Sequence, residues 1–353
     1  MSLVRNSTIV IFGVIVSNLL TYLFHLIAGR VLGPADYGVF GALMALFLLT
    51  ALPASALSFA ISKFTSRFYS ENSLGSIAQL RKEMQTNVLI FSLIMLTLII
   101  LFSQTIADFL KIKSTLSVIV VGIALVFALL LPVNRGVLQG MKKFKVLSWN
   151  LIIEAFSRLA LLGIFLYLGL GIKGAVLAYG LAYSVAFFII FRSIKETREQ
   201  VSFAEKIEIK PVYRFIFQVM LANIFLQSII NIPSLLIKHF YSSEFTGNWT
   251  AALNLARLSL FIVSAISLVM FPEIAKEKDT VVKKKIFYKS TLLVLGATSG
   301  MAILCFFIPQ LLIQGLYGKS FLGAVPILKC MGFAMIFFGL LQLRMDYFLA
   351  SLK

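Results

Sequence analysis

The sequence predicts an all-α integral membrane protein. It should contain two parallel, pseudo-symmetric six-helix lobes, about ten transmembrane helices in all, with the last two spans of the second lobe missing from this chain. Three observations carry this: repeated apolar runs of membrane-spanning length, strict alternation of basic loops, and self-similarity at one fixed offset. Of the 353 residues, 60% are apolar and 13% charged, against roughly 25% charge in an average soluble domain. The excess comes as runs of about 20 residues, the length that crosses roughly 30 Å of hydrocarbon as a helix. A soluble enzyme, a disordered chain and a disulfide scaffold are thereby excluded, and a cleaved leader accounts for at most the first run.

The runs cover 8–29, 38–62, 87–107, 116–138, 149–168, 174–192, 214–238, 248–271, 290–309 and 324–343. None shows the alternating polarity of a barrel strand, so each is expected to be a helix that satisfies its own backbone. Residues 63–86 mix Phe64, Phe68, Ile77 and Leu80 with charges, which suits a helix lying on the membrane surface. The longest polar stretch, 192–213, follows the sixth span and separates a first lobe (1–210, spans one to six) from a second (211–353, spans seven to ten).

Net charge is +18, which on a soluble chain would suggest nucleic acid. Here 22 Lys and Arg fall in one alternating set of loops and 6 in the other. By the positive-inside rule both ends of this chain are cytoplasmic, and the charge serves orientation and attraction to anionic membrane lipids rather than nucleic acid.

A shift of 209 residues aligns the halves near their starts. Gly38 meets Gly247, Ala42 meets Ala251, the run Ser55–Ser58 meets Ser264–Ser267, and Arg135 meets Arg344. Six spans per repeat keep both halves in one orientation, related by a pseudo-two-fold axis along the membrane normal. Transporters place substrates between such halves. Two full repeats would run about 65 residues past Lys353, so truncation before spans eleven and twelve is expected.

Polar residues inside the spans are the candidate substrate-binding groups. Span seven carries Asn223, Gln227, Asn231, Ser234 and Lys238 on one helical face. Span one carries Asn18, Tyr22 and His25, and the offset pairs Asn18 with Gln227, Tyr22 with Asn231 and His25 with Ser234. Matching polar faces suit a shared cleft better than helix–helix glue, because the register repeats. Span eight carries Thr250, Asn254 and Arg257. A cation at mid-span costs about 2.5–3.5 kcal/mol, so Arg257 should face water, protein or an anion, and anion binding is the preferred reading. Glu154 and Arg158, four apart, read as an internal ion pair. Arg30, Lys238, Arg135 and Arg344 lie near span ends, where snorkelling to headgroups is the default. His25 reads as a satisfied core histidine before a proton relay. Cys305 and Cys330 read as buried, inert thiols. No catalytic constellation, metal-ligand spacing or Walker sequence is present, so no enzyme activity, cofactor or metal is expected.

The run Arg30-Val-Leu-Gly-Pro-Ala-Asp-Tyr-Gly38 resembles the signature after the first span of polysaccharide-biosynthesis membrane proteins, the O-antigen and lipid-linked oligosaccharide flippases. Arg135–Gly140 with Lys142-Lys143-Phe144, and Gly169–Ala175, resemble further stretches of that family. The resemblance implies the multidrug/oligosaccharidyl-lipid/polysaccharide flippase superfamily: two six-helix lobes around a V-shaped, often cationic cavity lined by spans one, two, seven and eight. Such proteins move polyprenyl-pyrophosphate sugars to the outer leaflet. Ala252–Leu258 also resembles the lipid II flippase branch, where an arginine at the position of Arg257 serves transport. That branch has an Arg-Asp pair where this chain has Phe24-His25, which argues against lipid II.

The expectation is therefore a flippase of the cytoplasmic membrane, working by alternating access on a lipid-linked oligosaccharide. Arg257 and Lys238 would attract the pyrophosphate, while Asn18, Asn223, Gln227, Asn231 and Asn254 bind sugars. H+ or Na+ are the candidate coupling ions and glycan-assembly enzymes the candidate partners. The rivals are a cation-coupled multidrug exporter of the same superfamily, a membrane glycan polymerase or ligase, and a non-transporting assembly partner.

Overall fold

In hydrocarbon every backbone donor must be satisfied within its own segment or a closed barrel. The computed structural model, which describes residues 2–193, 207–277 and 279–351, answers with helices and has no strand among the described residues. Its helices are α1 (Ser2–Thr50), α2 (Pro53–Ser70), α3 (Leu74–Leu101), α4 (Ser103–Phe109), α5 (Thr115–Gly140), α6 (Phe144–Tyr167) and α7 (Gly171–Ser193). They continue with α8 (Lys210–Phe240), α9 (Ser243–Ala256), α10 (Leu258–Lys276), α11 (Thr280–Phe307), α12 (Pro309–Leu316) and α13 (Ala324–Ser351). Residues 194–206 of the proposed linker lie outside the described residues.

Among the described residues eight helical stretches are long and apolar enough to span a membrane, or nine if the pair Lys210–Leu221 and Asn223–Phe240, bent by 41°, counts as one more. The longest, Ile9–Ser70, has 62 residues, about three times what the hydrocarbon requires. It breaks at Gly33, whose φ of 72° and ψ of 173° are not helical. Division there separates two apolar helical stretches. Pro34 follows directly and fixes the start of the returning helix, as proline does at a first helical position.

Several helices run on beyond their apolar part. Residues 63–86 do not form a surface helix. They are the end of α2, a turn, and the start of α3, and Ile77, Leu80 and Met84 are fully buried in the protein. Those aliphatic residues serve packing within the fold rather than lipid, whereas Phe64 and Phe68 are half-buried.

The chain divides into two compact units. One comprises Met1–Phe24 with Val39–Phe240, the other His25–Gly38 with Tyr241–Lys353. In the first, α5 is central and packs on α2, α3 and α7, while α8 lies on α2. In the second, α13 is central and packs on α9, α10 and α11. Cys305 is buried there, whereas Cys330 is exposed, contrary to the expectation of two buried thiols.

The first unit is pinned by buried charge. Glu154 on α6 receives Arg158 one turn along, and its second oxygen accepts from Arg135 Nη2 on α5 at 2.7 Å. Arg135 Nε donates to Asn150 Oδ1 at 2.9 Å, and Asn150 Nδ2 donates to the Ala186 carbonyl on α7 at 2.8 Å. Arg158 lies 4.1 Å above the Tyr179 ring and reaches Thr21 on α1. The internal pair expected of Glu154 and Arg158 is thus present but has a third member. Arg135 does not snorkel: it turns inward to the carboxylate. Beside it, Asn134 accepts from Arg81 at 2.9 Å and Gln85 at 3.0 Å, tying α3 to α5.

Removing the carboxylate leaves two guanidinium groups buried together, a change worth about 3–5 kcal/mol in comparable pairs. Glu154→Ala should therefore lower the thermal unfolding temperature of detergent-purified protein far more than Arg67→Ala, which breaks the exposed Arg67–Glu71 pair, worth about 0–1 kcal/mol. Equal losses would show that the buried cluster does not hold the unit together. Gly33→Ala meets no neighbour within 4 Å, so its cost should be backbone strain alone, about 1–3 kcal/mol on the same assay.

Candidate functional site

The predicted site residues separate into two groups. In the second unit, α1 brings His25 and Tyr37 to Asn254 on α9. Asn254 Nδ2 donates to the Tyr37 hydroxyl at 2.8 Å, and His25 Nδ1 lies 3.4 Å from that hydroxyl and 3.5 Å from Asn254 Nδ2. Tyr37 is fully buried, with its ring 5.9 Å from those of Tyr317 and Phe321. Arg257 sits where α9 ends and α10 begins, its N–H bonded to the Leu253 carbonyl and its own carbonyl accepting from Leu260. A half-buried cation at a helix break, three residues from an amide that bonds a phenol, suits an anionic or hydroxyl-rich group.

In the first unit, the stripe on α8 is turned inward toward its outer end. Asn231 is 1% exposed and donates to the carbonyl and the Oε1 of Gln227, at 2.9 and 3.1 Å. Ser234 is buried. Lys238 is 1% exposed, with Nζ 3.5 Å from the Lys111 carbonyl; it does not snorkel. Asn223 donates to Ser55 on α2 at 3.0 Å. Gln227 is exposed, and Asn18 and Tyr22 on α1 are half-buried.

Tyr37 was not among the sequence candidates, although it lies in the quoted Arg30–Gly38 run. A single aromatic near a helix start carries no periodic signal, and only the fold brings it to Asn254. Arg30 does not simply snorkel either. It donates through Nε to the Leu316 carbonyl at 2.6 Å and also to that of Gly315. Asp346 falls inside α13, so Glu154 is not alone as an intramembrane acid.

Asn254 ties α9 to α1 through one hydrogen bond to a buried hydroxyl. Asn254→Ala should cost about 1–3 kcal/mol through the partner left unsatisfied, whereas Asn18→Ala on a half-buried face should cost less than about 0.5 kcal/mol. Thermal unfolding of the two variants side by side checks this.

A family model described as polysaccharide biosynthesis protein matches residues 3–278. An uncharacterised membrane protein of Methanocaldococcus jannaschii is 26% identical over 333 residues, 88% of this chain and 76% of that one. The fold resembles that of an inward-facing multidrug-resistance MATE transporter, with a TM-score of 0.74, 15% identity, 95% of this chain and 83% of the other covered. It resembles the lipid II flippase MurJ in an inward closed conformation equally, with a TM-score of 0.76, 15% identity and coverage of 96% and 75%. A superfamily transporter from Pyrococcus furiosus, described as having a binding pocket of reversed polarity, aligns with a TM-score of 0.56, 16% identity and coverage of 99% and 96%. The match to the family model covers most of the chain, and the fold is shared with these solved structures: this multi-pass membrane protein belongs to the polysaccharide biosynthesis protein family.

Proposed function

We propose that the protein is a flippase that carries a lipid-linked oligosaccharide, a polyprenyl pyrophosphate sugar, across the cytoplasmic membrane by alternating access. The observation that supports this reading is Arg257, half-buried at the α9–α10 break and three residues from Asn254, which bonds Tyr37, in a chain of this family. A pyrophosphate headgroup is too polar for bare hydrocarbon. A guanidinium supplies charge-assisted bonds to it, and neighbouring amides and hydroxyls supply bonds to sugar. Lys238 is the second cation we assign to the pyrophosphate, and Asn18, Asn223, Gln227, Asn231 and Asn254 the groups we assign to sugar. The polyprenyl chain stays in lipid. The loop charges support an orientation with both ends of this chain in the cytoplasm.

The rival reading, a cation-coupled multidrug exporter, is favoured by the MATE likeness. Against it stands the use of Glu154. An exporter that binds cations at an intramembrane acid needs that acid available; Glu154 already holds Arg135 and Arg158, so that reading would have to use Asp346 on α13.

Reconstitution of the protein in vesicles with lipid-linked glycans tests the reading. Arg257→Ala should slow glycan translocation about tenfold or more, the loss of about 1.5–3 kcal/mol expected when a hydrogen bond to a charged group is removed. Translocation at the wild-type rate would remove Arg257 from the site. Export of organic cations by wild-type vesicles, with no glycan transport, would favour the rival.

A further inference from the structure

One cavity of the first unit has no part in the candidate site. A cleft of about 690 Å3 lies between the α2–α3 turn and the residues that lead into α8, lined among others by Phe64, Arg67, Phe68, Glu71, Glu208 and Pro211. Small-molecule sites commonly hold roughly 300–1,000 Å3. All these residues fall within Val39–Phe240, so the cleft belongs to one unit. Its walls are anchored on both sides. The N–H groups of Glu71, Asn72 and Ser73 bond back to the carbonyls of Arg67, Tyr69 and Phe68 at 3.1, 3.2 and 2.9 Å. Asn72 closes the turn at a φ of 54°, a left-handed conformation that asparagine tolerates. Opposite, the start of α8 is fastened to the same two helices. Asn87 Nδ2 on α3 donates to the Tyr213 hydroxyl at 2.8 Å, and Lys63 Nζ on α2 lies 4.1 Å above the Phe215 ring.

The polar groups of the cleft carry both signs of charge. Arg67 gives Nε to Glu71 Oε1 at 3.0 Å. Its two Nη groups, the second Glu71 oxygen and the Glu208 carboxylate make no hydrogen bond or ion pair among the described residues. An anion alone would meet two carboxylates there, and a cation alone would meet the guanidinium. A ligand with a phosphate and an ammonium satisfies both. The phosphate takes the guanidinium fork, and the ammonium takes a carboxylate and the face of a phenyl ring.

Depth selects the source of such a ligand. The apolar run of α2 ends near residue 62. At about 1.5 Å per helical residue, Phe64, Arg67 and Glu71 lie about 3, 7 and 14 Å beyond it. The headgroup layer on each side of a bilayer is about 5–7 Å thick. Pro211 similarly falls just before the apolar run that opens at 214. The cleft therefore starts apolar at the edge of the hydrocarbon and ends polar in water, with its guanidinium at the level of lipid phosphates. A membrane lipid carries its groups in the same order.

We infer that this cleft binds a zwitterionic phospholipid with a primary amine headgroup, of the phosphatidylethanolamine type, from the leaflet on the lysine- and arginine-rich side. Arg67 holds the phosphate, and Glu208 with the second oxygen of Glu71 holds the ammonium. Phe64 and Pro211 line the way of the glycerol to the tails. The seated lipid bridges the α2–α3 turn and the lead-in to α8. The inference does not depend on which substrate the protein carries.

The test is native mass spectrometry of the protein released from nanodiscs that hold dioleoyl phosphatidylethanolamine and dioleoyl phosphatidylglycerol in equal amounts. The wild type should retain the ethanolamine lipid about fivefold over the glycerol lipid, the upper range for exposed charge pairs. Arg67→Gln should lower retention of the ethanolamine lipid by a similar factor. Glu208→Lys should reverse the preference, a change that lost packing cannot produce. Both side chains are exposed, so these variants should fold. Glu83→Lys makes the same charge change on α3 outside the cleft and should keep the wild-type preference. Equal retention of the two lipids by the wild type, or an unchanged preference in Glu208→Lys, would overturn the site. Reversal in Glu83→Lys as well would replace the site by net charge and overturn it too. Free phosphoethanolamine added to the protein in detergent should bind far more weakly than the lipid; equal affinity would overturn the lipid as the source.

Discussion

A charge inside hydrocarbon must be given partners, and the first unit is built around one solution to that constraint. Glu154 has two oxygens, and each is taken by a different arginine: Arg158 on its own helix and Arg135 on α5. Because Arg135 also grips Asn150, and Asn150 the Ala186 carbonyl on α7, one carboxylate fixes the mutual placement of three helices. The stacking of Arg158 on Tyr179 adds a cation–π contact in a setting where such contacts are strongest. Once α5, α6 and α7 are fixed, the helices that pack on α5 have their places set, and Asn134, next to Arg135, draws in α3 through Arg81. The same constraint decides what the cluster cannot do. With both of its oxygens taken by arginines, Glu154 offers no oxygen to a further cation.

The spans were legible because hydropathy reports directly on what lies in lipid. Their ends were not, because a helix continues into water without any change in its backbone bonding. Thus α3 starts at Leu74 although its apolar run starts near 87. The surface helix expected at 63–86 failed for a related reason. An amphipathic pattern states that one face is apolar but not whether lipid or protein covers it, and here protein covers Ile77 and Leu80. Charges near span ends were misread in the same direction. Arg135, Lys238 and Arg30 all find partners on other helices or loops, 19, 127 and 286 residues away in the chain, and no spacing rule reaches that far. The i, i+4 pair of Glu154 and Arg158 was readable because both partners share a helix. In the candidate site, His25 and Asn254 were found as polar groups in apolar runs, while Tyr37, the residue that joins them, has no such contrast with its surroundings.

The repeat offers one further lesson about glycine. Alanine is the better helix former by about 1 kcal/mol, so a glycine held inside a helix needs a compensating contact. Gly38 and Gly247 have one, and each has it with the neighbourhood of the other. The limit on size is imposed at both glycines by a single crossing. This gives the matched glycines, each weak as a sequence identity, a shared physical cause: two helices that approach until only hydrogen atoms separate their backbones. The returning turn at Gly33 and Pro34 is part of the same arrangement. It places the Pro34 carbonyl at the crossing, where Gly247 leaves it room, and it sets Tyr37 three residues on, one helical turn along the same face, against the helix that carries Asn254. The geometry that lets the helices touch is therefore also the geometry that builds the polar cluster, and a change in one is transmitted to the other through a rigid turn of helix.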